Sequence, residues 1–344
     1  MKQKISKIFE EWLVDDGDGF WGVFSVANAD GIIYERALGY RDRTKEIENQ
    51  MNTAFGVASG TKLFTGLSVC KLIDEGKLSL DDKIWDVLGK DLGQVDKTVT
   101  IRHLLTHTSG IGDYVDEDWD DFDAEMEKLR EKFPVHLWTN LDYYLPMTTP
   151  LPPKFAPGER YGYSNSGFIL LGLAVEAIGG ISYQDYVQKH IIETLGMTHT
   201  GFYRMDALPE NTAISYMVDD EGEFTPNTDI MPIIGGSDGG IFTTVADLDR
   251  LWRGIFNHKI LSADMTENFL KAHVTIDEED GESYGLGVFR VDVDGKVLHY
   301  GMGFDSGVRL ATAYHPKTGT TISAISNNEV WPFDLISESF ETLE

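Results

Sequence analysis

The stretch that decides the fold runs from residue 284 to residue 326, YGLGVFRVDVDGKVLHYGMGFDSGVRLATAYHPKTGTTISAIS. Its apolar and β-branched runs predict four strands, at residues 284–293, 296–300, 307–314 and 320–326. Asp294-Gly295 and the segment 316–319 supply turn residues between these runs. Because such short connections join antiparallel neighbours, the stretch predicts an antiparallel sheet.

The other end of the chain matches this pattern. Two strand-like runs, 20–27 and 31–38, are separated by the turn residues Asn28-Ala29-Asp30-Gly31. Apolar residues at helical spacing precede and follow the strands: Ile5, Ile8, Phe9, Trp12 and Leu13 near the start, and Phe333, Ile336, Phe340 and Leu343 at the end. We therefore predict one sheet built from both termini and flanked by terminal helices.

The middle of the chain is mainly helical. Apolar periodicity predicts helices at residues 62–75, 101–106, 167–178, 183–195 and 244–256. The predicted fold class is α/β (α+β), with an antiparallel sheet domain formed by residues 1–59 and 281–344. A large, mainly helical domain, residues 60–280, is inserted into it, and we expect the active site at their interface.

Composition excludes several classes of function. The 344 residues include 29 basic and 57 acidic ones, a net charge of −28, which repels nucleic acid and disfavours anionic membranes. No apolar run is long enough for a membrane span. The single cysteine, Cys70, has no internal disulfide partner, and residues 1–5 lead into no signal-peptide core. We expect a cytoplasmic protein, or an exported one if a leader has been removed.

Ser59-Gly60-Thr61-Lys62 is the first candidate for catalysis. Ser59 stands at the entry of the predicted buried helix, and Lys62 lies one turn later on the same face. Burial lowers the pKa of a lysine towards that of a useful base. The same S-x-x-K pattern recurs at Ser68 and Lys71, but in mid-helix, which favours a packing role there.

Two further segments carry candidate chemistry. In Tyr163-Ser164-Asn165, a tyrosine beside a buried lysine cation would have a lowered pKa and could pass protons, and Asn165 could orient Lys62 or a substrate carbonyl. The alternative is a capping turn with Ser164 or Asn165 as N-cap. At the third segment, His299-Tyr300-Gly301, Gly301 and Gly303 would allow close approach of a ligand, and a backbone N–H there could join that of Ser59 in an oxyanion hole.

Several competing patterns are weaker. Gly235-Gly236-Ser237-Asp238-Gly239 fits the nucleophile elbow G-x-S-x-G, but Pro232 interrupts the strand that an elbow requires. His103 and His107 have the spacing of a helical metal pair but lack further ligands, so we expect a structural role, capping or packing, for them. Residues 16–19 faintly resemble a calcium loop but lack its closing glutamate, which indicates a turn. Two acidic clusters, 116–121 and 277–280, are interpreted as solvated loops, or else as a lid that disfavours anionic substrates.

The ordered motifs resemble those of the serine β-lactamase and penicillin-binding-protein superfamily, specifically its class C β-lactamase-like branch. The resemblance spans roughly residues 20–328 and includes the segments 78–82, 100–110 and 157–159, together with Gly196-Met197, Gly239-Gly240-Ile241 and Asp247. It implies that branch's fold, with no cofactor and no metal. It also implies that the G-x-S-x-G match is a bystander.

The resemblance further implies a role for each site residue. Ser59 would be the nucleophile that forms an acyl-enzyme, Lys62 its base and Tyr163 the proton shuttle. The substrate-binding residues would be Asn165, His299, Gly301 and Met302, with the Met302 N–H completing the oxyanion hole.

The sequence departs from true class C β-lactamases, which carry K-T-G where this chain has His299-Tyr300-Gly301. We therefore expect a carboxylesterase or a D-amino-acid peptidase or amidase acting on a small ester, D-peptide or β-lactam, with weak or no β-lactamase activity. The alternatives are a penicillin-binding or sensor protein that acylates without efficient turnover, and a true class C-like β-lactamase. Arg290 and Arg309 could bind a substrate carboxylate or simply lie on strand surfaces. The oligomeric state stays open.

The acidic surface generates a prediction about stability. Because like charges repel at low salt and are screened at higher salt, we expect the melting temperature to rise with added salt. Thermal unfolding in a series from low to molar sodium chloride measures this. A melting temperature that stays flat across the series would contradict it.

Overall fold

The computed structural model describes residues 1–15, 17, 19–219, 222–227 and 231–343. Within these ranges the helices are α1 (Lys2–Asp15), α2 (Thr61–Asp74), α3 (Ile84–Leu88), α4 (Ile101–Leu105), α5 (Phe122–Lys132), α6 (Leu145–Thr148), α7 (Asn165–Gly179), α8 (Tyr183–Val187), α9 (Glu193–Leu195), α10 (Val245–Phe256), α11 (Ala263–Leu270) and α12 (Phe333–Glu341). A π-helical turn, Gln188–Ile192, joins α8 to α9, so the helix predicted at 183–195 is continuous.

The strands in the same ranges are β1 (Gly22–Asn28), β2 (Gly31–Leu38), β3 (Tyr40–Asp42), β4 (Ile47–Glu48), β5 (Phe55–Gly56), β6 (Tyr216–Val218), β7 (Phe224–Pro226), β8 (Phe242–Thr243), β9 (Val274–Asp277), β10 (Glu282–Tyr284), β11 (Phe289–Val293), β12 (Lys296–Asp305), β13 (Val308–His315) and β14 (Thr320–Ser326). Eight of them form one antiparallel sheet in the order β2-β1-β14-β13-β12-β11-β10-β9. The first strand thus pairs with the last, which confirms the predicted sheet built from both termini.

Two strand predictions were wrong in detail. The run predicted as one strand at 284–293 is divided into β10 and β11, because Gly287 has a φ of +103° and turns the chain between them. That turn lies against α2: a Cβ on Gly66 would be only 2.3 Å from the Leu286 carbonyl oxygen. The strand predicted at 296–300 continues to Asp305, because β13 pairs with it along this length.

The two faces of the sheet are covered by different helices. The terminal helices α1 and α12 pack on one face, where Phe9 stacks on Phe24 of β1 at 5.3 Å between ring centroids. On the other face α10 packs against β1 and β14, and the Trp252 indole donates a hydrogen bond of 2.9 Å to Thr312 of β13. The sheet is therefore packed between helices on both of its faces.

Helix α2 is the central element of the helical part. Eleven of its fourteen residues are buried, and it packs against α7, α8 and α11. The division into 1–59 with 281–344 and 60–280 stays a proposal, and the sheet takes strand β9 from the segment assigned to the insert.

A few sequence features lie outside the described residues. Asp16 and Asp18 of the calcium-like segment and Ile230 before Pro232 are among them. Across the described ranges, no single helix has the length and apolarity to cross a membrane, although the bent pair Asn165–Gly179 and Tyr183–Leu195 would pass by length and composition alone.

Candidate active site

Ser59 lies where the chain enters α2. It is the middle residue of a 3₁₀ turn, Ala58–Gly60, that leads directly into the helix. Ala58 has a φ of +43°, a strained conformation for a residue with a side chain, and such strain is typical of functional sites. Ser59 is half-buried and lines two cavities, so its hydroxyl is open to a substrate.

Lys62 lies one turn along α2 and is 3% exposed. Its Nζ lies 3.0 Å from the Ser59 Oγ, 2.7 Å from the Asn165 Oδ1 and 2.8 Å from the Asp238 carbonyl oxygen. One amine therefore joins the nucleophile to two segments that lie more than a hundred residues away in sequence.

The protonation of Lys62 follows from its surroundings. Burial lowers its pKa, while Asp238, Glu117, Asp113 and Asp305 act in the opposite direction. In its neutral form, the Lys62 amine can donate its two N–H groups to the Asn165 and Asp238 oxygens and keep its lone pair for the proton of the Ser59 hydroxyl. The geometry is therefore that of a base paired with its nucleophile.

Tyr163 and Asn165 flank the start of α7. Ser164 caps this helix through a 3.0 Å bond from the Gly167 N–H to its Oγ, so the capping alternative is also correct for this segment. The Asn165 side chain nevertheless faces Lys62, and its Nδ2 donates to the Val115 carbonyl at 2.9 Å.

The expectation of a lowered Tyr163 pKa was wrong. The Tyr163 ring lies 4.8 Å from the Lys62 Nζ, but burial raises the pKa of Tyr163 well above its usual range. The nearby Glu117 carboxylate also raises it, while the interaction with Ser59 lowers it. Tyr163 in the resting protein is therefore a neutral phenol beside the nucleophile.

Two buried residues that support this segment were missed as site residues by sequence analysis. The Asp113 carboxylate accepts the N–H groups of Asn165 and Ser166, each at 2.8 Å, and burial raises its pKa to about 7. The His107 Nδ1 accepts the Ser164 N–H at 3.0 Å, and its ring stacks on Tyr163 at 4.5 Å. Sequence analysis assigned His107 a structural role, and these contacts give it one beside the site.

Only part of the third motif, His299-Tyr300-Gly301, lies at the cavities beside Ser59. His299 is buried against Phe256 of α10 and does not line either cavity, so the structure does not bring it to Ser59. Gly301 and Met302 line one cavity. The strand abuts the nucleophile at Gly303, where a Cβ would lie 2.2 Å from the Val57 carbonyl oxygen and 2.9 Å from the Ser59 nitrogen. The strand therefore approaches Ser59 most closely at Gly303, one of the two glycines predicted to allow close approach.

Glu117, from the first acidic cluster, is also at the site. The hydrogen bond from Asn165 to the Val115 carbonyl, and the ion pair of Asp116 with Lys154 at 2.6 Å, hold the two residues that precede it. Glu117 lines both cavities and is exposed within them, and enclosure by the walls raises the pKa of its carboxyl. The sequence pattern alone gave no means of choosing this acid among its neighbours.

Ser59, Glu117 and Phe304 line both cavities and mark the junction between them. The asparagine-side chamber, about 250 Å³, is lined by Asn165, Met126, Trp138 and Met231 among others. The tyrosine-side chamber, about 260 Å³, is lined by Lys62 and Tyr163 together with Tyr161, Tyr284, Phe289 and Tyr300. A substrate whose scissile bond lies at Ser59 therefore has space for one of its two parts in each chamber.

Of the remaining candidate residues, only Arg309 lines one of the two chambers. Ser237 is fully buried, and its hydroxyl donates to the Phe168 carbonyl oxygen at 2.8 Å. Arg290 pairs with Asp292, whereas Arg309 lines the asparagine-side chamber. The His103 ring accepts the Thr100 N–H in a capping box. Within the described ranges, no group of three or more potential ligands is arranged to hold a metal ion.

A serine with a buried lysine at its hydroxyl, between two chambers, defines a serine hydrolase. The family model described as Beta-lactamase matches residues 13–342, and the chain belongs to this family. The predicted superfamily is confirmed.

Individual relatives agree with this membership. The crystal structure of a penicillin binding protein from Bacillus halodurans is 35% identical, has a TM-score of 0.90, and aligns over 99% of this chain and 100% of that one. Penicillin-binding protein 4* of Bacillus subtilis (strain 168) is 28% identical over 280 residues, which cover 78% of this chain and 59% of the relative. The chain thus spans about three fifths of that relative's length. The D-amino acid amidase of Ochrobactrum anthropi SV3 shares the fold. It is 18% identical and has a TM-score of 0.81, and the alignment covers 100% of this chain and 99% of that one.

The contact at Gly303 generates a prediction with an internal control. Gly303→Ala should lower kcat/KM for an activated ester by at least about 100-fold, because the new methyl group forces β12 away from Ser59. Gly301→Ala should stay within about threefold, because its Cβ would meet Thr312 and Leu63 at ordinary distances of 3.7 and 3.9 Å. Steady-state kinetics, with a thermal melt of each variant, measure this. Equal losses in the two variants would contradict the assignment.

Glu117 generates a prediction about pH. Because its negative charge raises the pKa of both Lys62 and Tyr163, Glu117→Gln should lower both values. If activity needs a neutral Lys62 and a protonated Tyr163, both limbs of the kcat/KM profile move to lower pH. The control is Asp118→Asn, since that side chain is 90% exposed in the same loop. Limbs that do not move, or that move equally in both variants, would contradict these roles.

Proposed function

We propose that this protein is a carboxylesterase or D-amino-acid amidase that works through an acyl-enzyme on Ser59, with weak or no β-lactam turnover. The observation that carries the proposal is the contact of Lys62 with Ser59 at the junction of the two chambers. Membership of the Beta-lactamase family supports Ser59 as the nucleophile, and the residues that line the two chambers support the proposed class of substrate.

The reaction follows from the contacts. The Ser59 Oγ attacks the substrate carbonyl carbon and gives its proton to the Lys62 amine. Backbone N–H groups of Ser59 and of β12, for which Met302 is our candidate, stabilise the oxyanion. The bond to the leaving oxygen or nitrogen breaks as Tyr163 protonates that atom and is itself reprotonated from Lys62. Water then attacks the acyl-enzyme, and the proton it loses returns to the Ser59 Oγ.

The position of Tyr163 assigns the chambers. Tyr163 lines only the tyrosine-side chamber, and Asn165 lines only the asparagine-side chamber. Because the leaving atom must be within reach of its proton donor, we assign the leaving group to the tyrosine-side chamber. The acyl group then occupies the asparagine-side chamber, where Met126, Trp138 and Met231 offer apolar contacts and charged residues such as Arg130 and Arg309 complete the lining.

The charges favour an esterase or amidase over a carboxypeptidase. Penicillins and C-terminal peptides both carry a carboxylate on the leaving-group side. The described lining of the tyrosine-side chamber has two glutamates, Glu117 and Glu282, and no arginine. Lys62, its one described basic residue, has two acceptors of its own. A carboxylate there would meet repulsion, whereas Glu117 could also accept a hydrogen bond from the ammonium of an amino-acid amide.

A second candidate function is acylation by penicillin without efficient turnover. It is favoured by the two relatives described above that are named as penicillin-binding proteins. A penicillin adduct that persists for hours, with ester turnover blocked in parallel, would support this function over the first.

The proposal predicts a kinetic ranking. Hydrolysis of p-nitrophenyl acetate should exceed that of a chromogenic cephalosporin by at least about 100-fold in kcat/KM, a difference of about 2.7 kcal/mol. Ser59→Ala should remove at least about 10³-fold of the ester activity. The matched control is Ser237→Ala, which removes a buried hydroxyl outside both chambers and should retain activity within about threefold. Ester activity that survives in Ser59→Ala and disappears in Ser237→Ala would overturn the assignment.

A further inference from the structure

The tyrosine-side chamber has walls unlike those of a simple apolar pocket. Four aromatic rings from separate segments line it: Tyr161, Tyr284, Phe289 and Tyr300. Tyr284 meets Phe289 edge-on at 4.6 Å and Tyr161 at 6.1 Å, and Phe289 stacks on Tyr300 at 4.9 Å. The face of an aromatic ring attracts a cation through the quadrupole of the ring, so each face turned to the chamber favours a positively charged group.

A carboxylate completes these walls. Glu282 of β10 lines the chamber, is half-buried, and accepts a hydrogen bond from the Tyr300 hydroxyl. A carboxylate has about four acceptor positions, so this bond leaves Glu282 able to accept further donors from a ligand. At the other end of the chamber Glu117 adds a second acid beside Ser59.

The surroundings of the chamber are acidic as well. The hairpin that joins β9 to β10 contains Asp277, Glu278, Glu279 and Asp280, four consecutive acids immediately before Glu282. The nearby Arg290 is paired with Asp292 at 2.5 Å. The chamber and its rim therefore present a negative potential to an entering group, and this potential raises the local concentration of cations.

We propose that the tyrosine-side chamber recognises a positively charged leaving group: an alcohol or amine that carries an ammonium two or three carbon atoms from the atom that departs. The ammonium lies among the four rings with Glu282 as its counter-charge. This inference rests on the proposed function, because it assumes that the leaving group occupies this chamber while Ser59 takes the acyl group. It gives the second acidic cluster a role in attracting the substrate.

The test uses two acetyl thioesters of the same shape. Acetylthiocholine carries a quaternary nitrogen, and 3,3-dimethylbutyl thioacetate carries a quaternary carbon at the same position. We expect wild-type protein to favour the cation by at least about tenfold in kcat/KM, mainly through KM, at low salt. Because the attraction is partly electrostatic, the preference should decrease as sodium chloride is added.

Two variants test whether Glu282 is responsible for the preference for the cationic thioester. Glu282→Gln retains an acceptor for Tyr300 and should reduce the ratio of the two kcat/KM values at least threefold. Glu279→Gln changes an exposed acid of the same hairpin that adds to the potential at the rim but does not line the chamber, so it should reduce the ratio by less than Glu282→Gln does. Equal kcat/KM values for the two thioesters in wild type, or a ratio unaffected by Glu282→Gln, would overturn the inference.

Failure of the inference and failure of the proposed function give different results. If both thioesters are hydrolysed equally and Ser59→Ala abolishes both activities, the proposed function stands and the cation site is wrong. If neither thioester is hydrolysed and Ser59 is not acetylated, the proposed function is wrong, and this inference with it.

Discussion

A lysine amine that is almost fully removed from water lies at the centre of this molecule. Lys62 has no room for a hydration shell, so each of its polar contacts must come from the protein. It finds them in the Ser59 hydroxyl, the Asn165 amide and the Asp238 backbone, and these three contacts join α2, α7 and the loop before β8. The need to satisfy this one amine therefore fixes the relative positions of the nucleophile, the helix that carries Asn165 and the loop that carries Asp238.

The supporting contacts extend outward from that amine. Asp113 and Val115 hold Asn165, and the same loop continues to Glu117, which is carried to the junction of the chambers. On the other side, β12 loses β11 as a pairing partner after Tyr300, so the edge of the sheet is open where it passes Ser59. The tyrosine-side chamber lies beside that open edge, and three of its four aromatic residues come from β10, β11 and β12.

Sequence alone predicted the features that depend on local spacing. Ser59 and Lys62 are one helical turn apart, and the strands of the sheet are apolar and β-branched runs bounded by turn residues, which can be found from both ends. Features that depend on tertiary contacts were missed. Glu117 is one of several adjacent acids, and only the loop's attachment to Asn165 selects it. The motif does not distinguish Gly301 from Gly303, and the tertiary structure places Gly303 against Ser59 and His299 against α10. The Tyr163 pKa was misjudged because the prediction weighed the lysine charge and neglected burial and Glu117.

The measurement that tests the account most directly is intact-mass spectrometry of the protein quenched in acid at intervals after mixing with p-nitrophenyl acetate, followed by peptide mapping. The account predicts a transient increase of one acetyl group, located on Ser59 and absent in Ser59→Ala. An acetyl group located on Ser237 or another residue during turnover would contradict it, as would ester turnover that continues in Ser59→Ala.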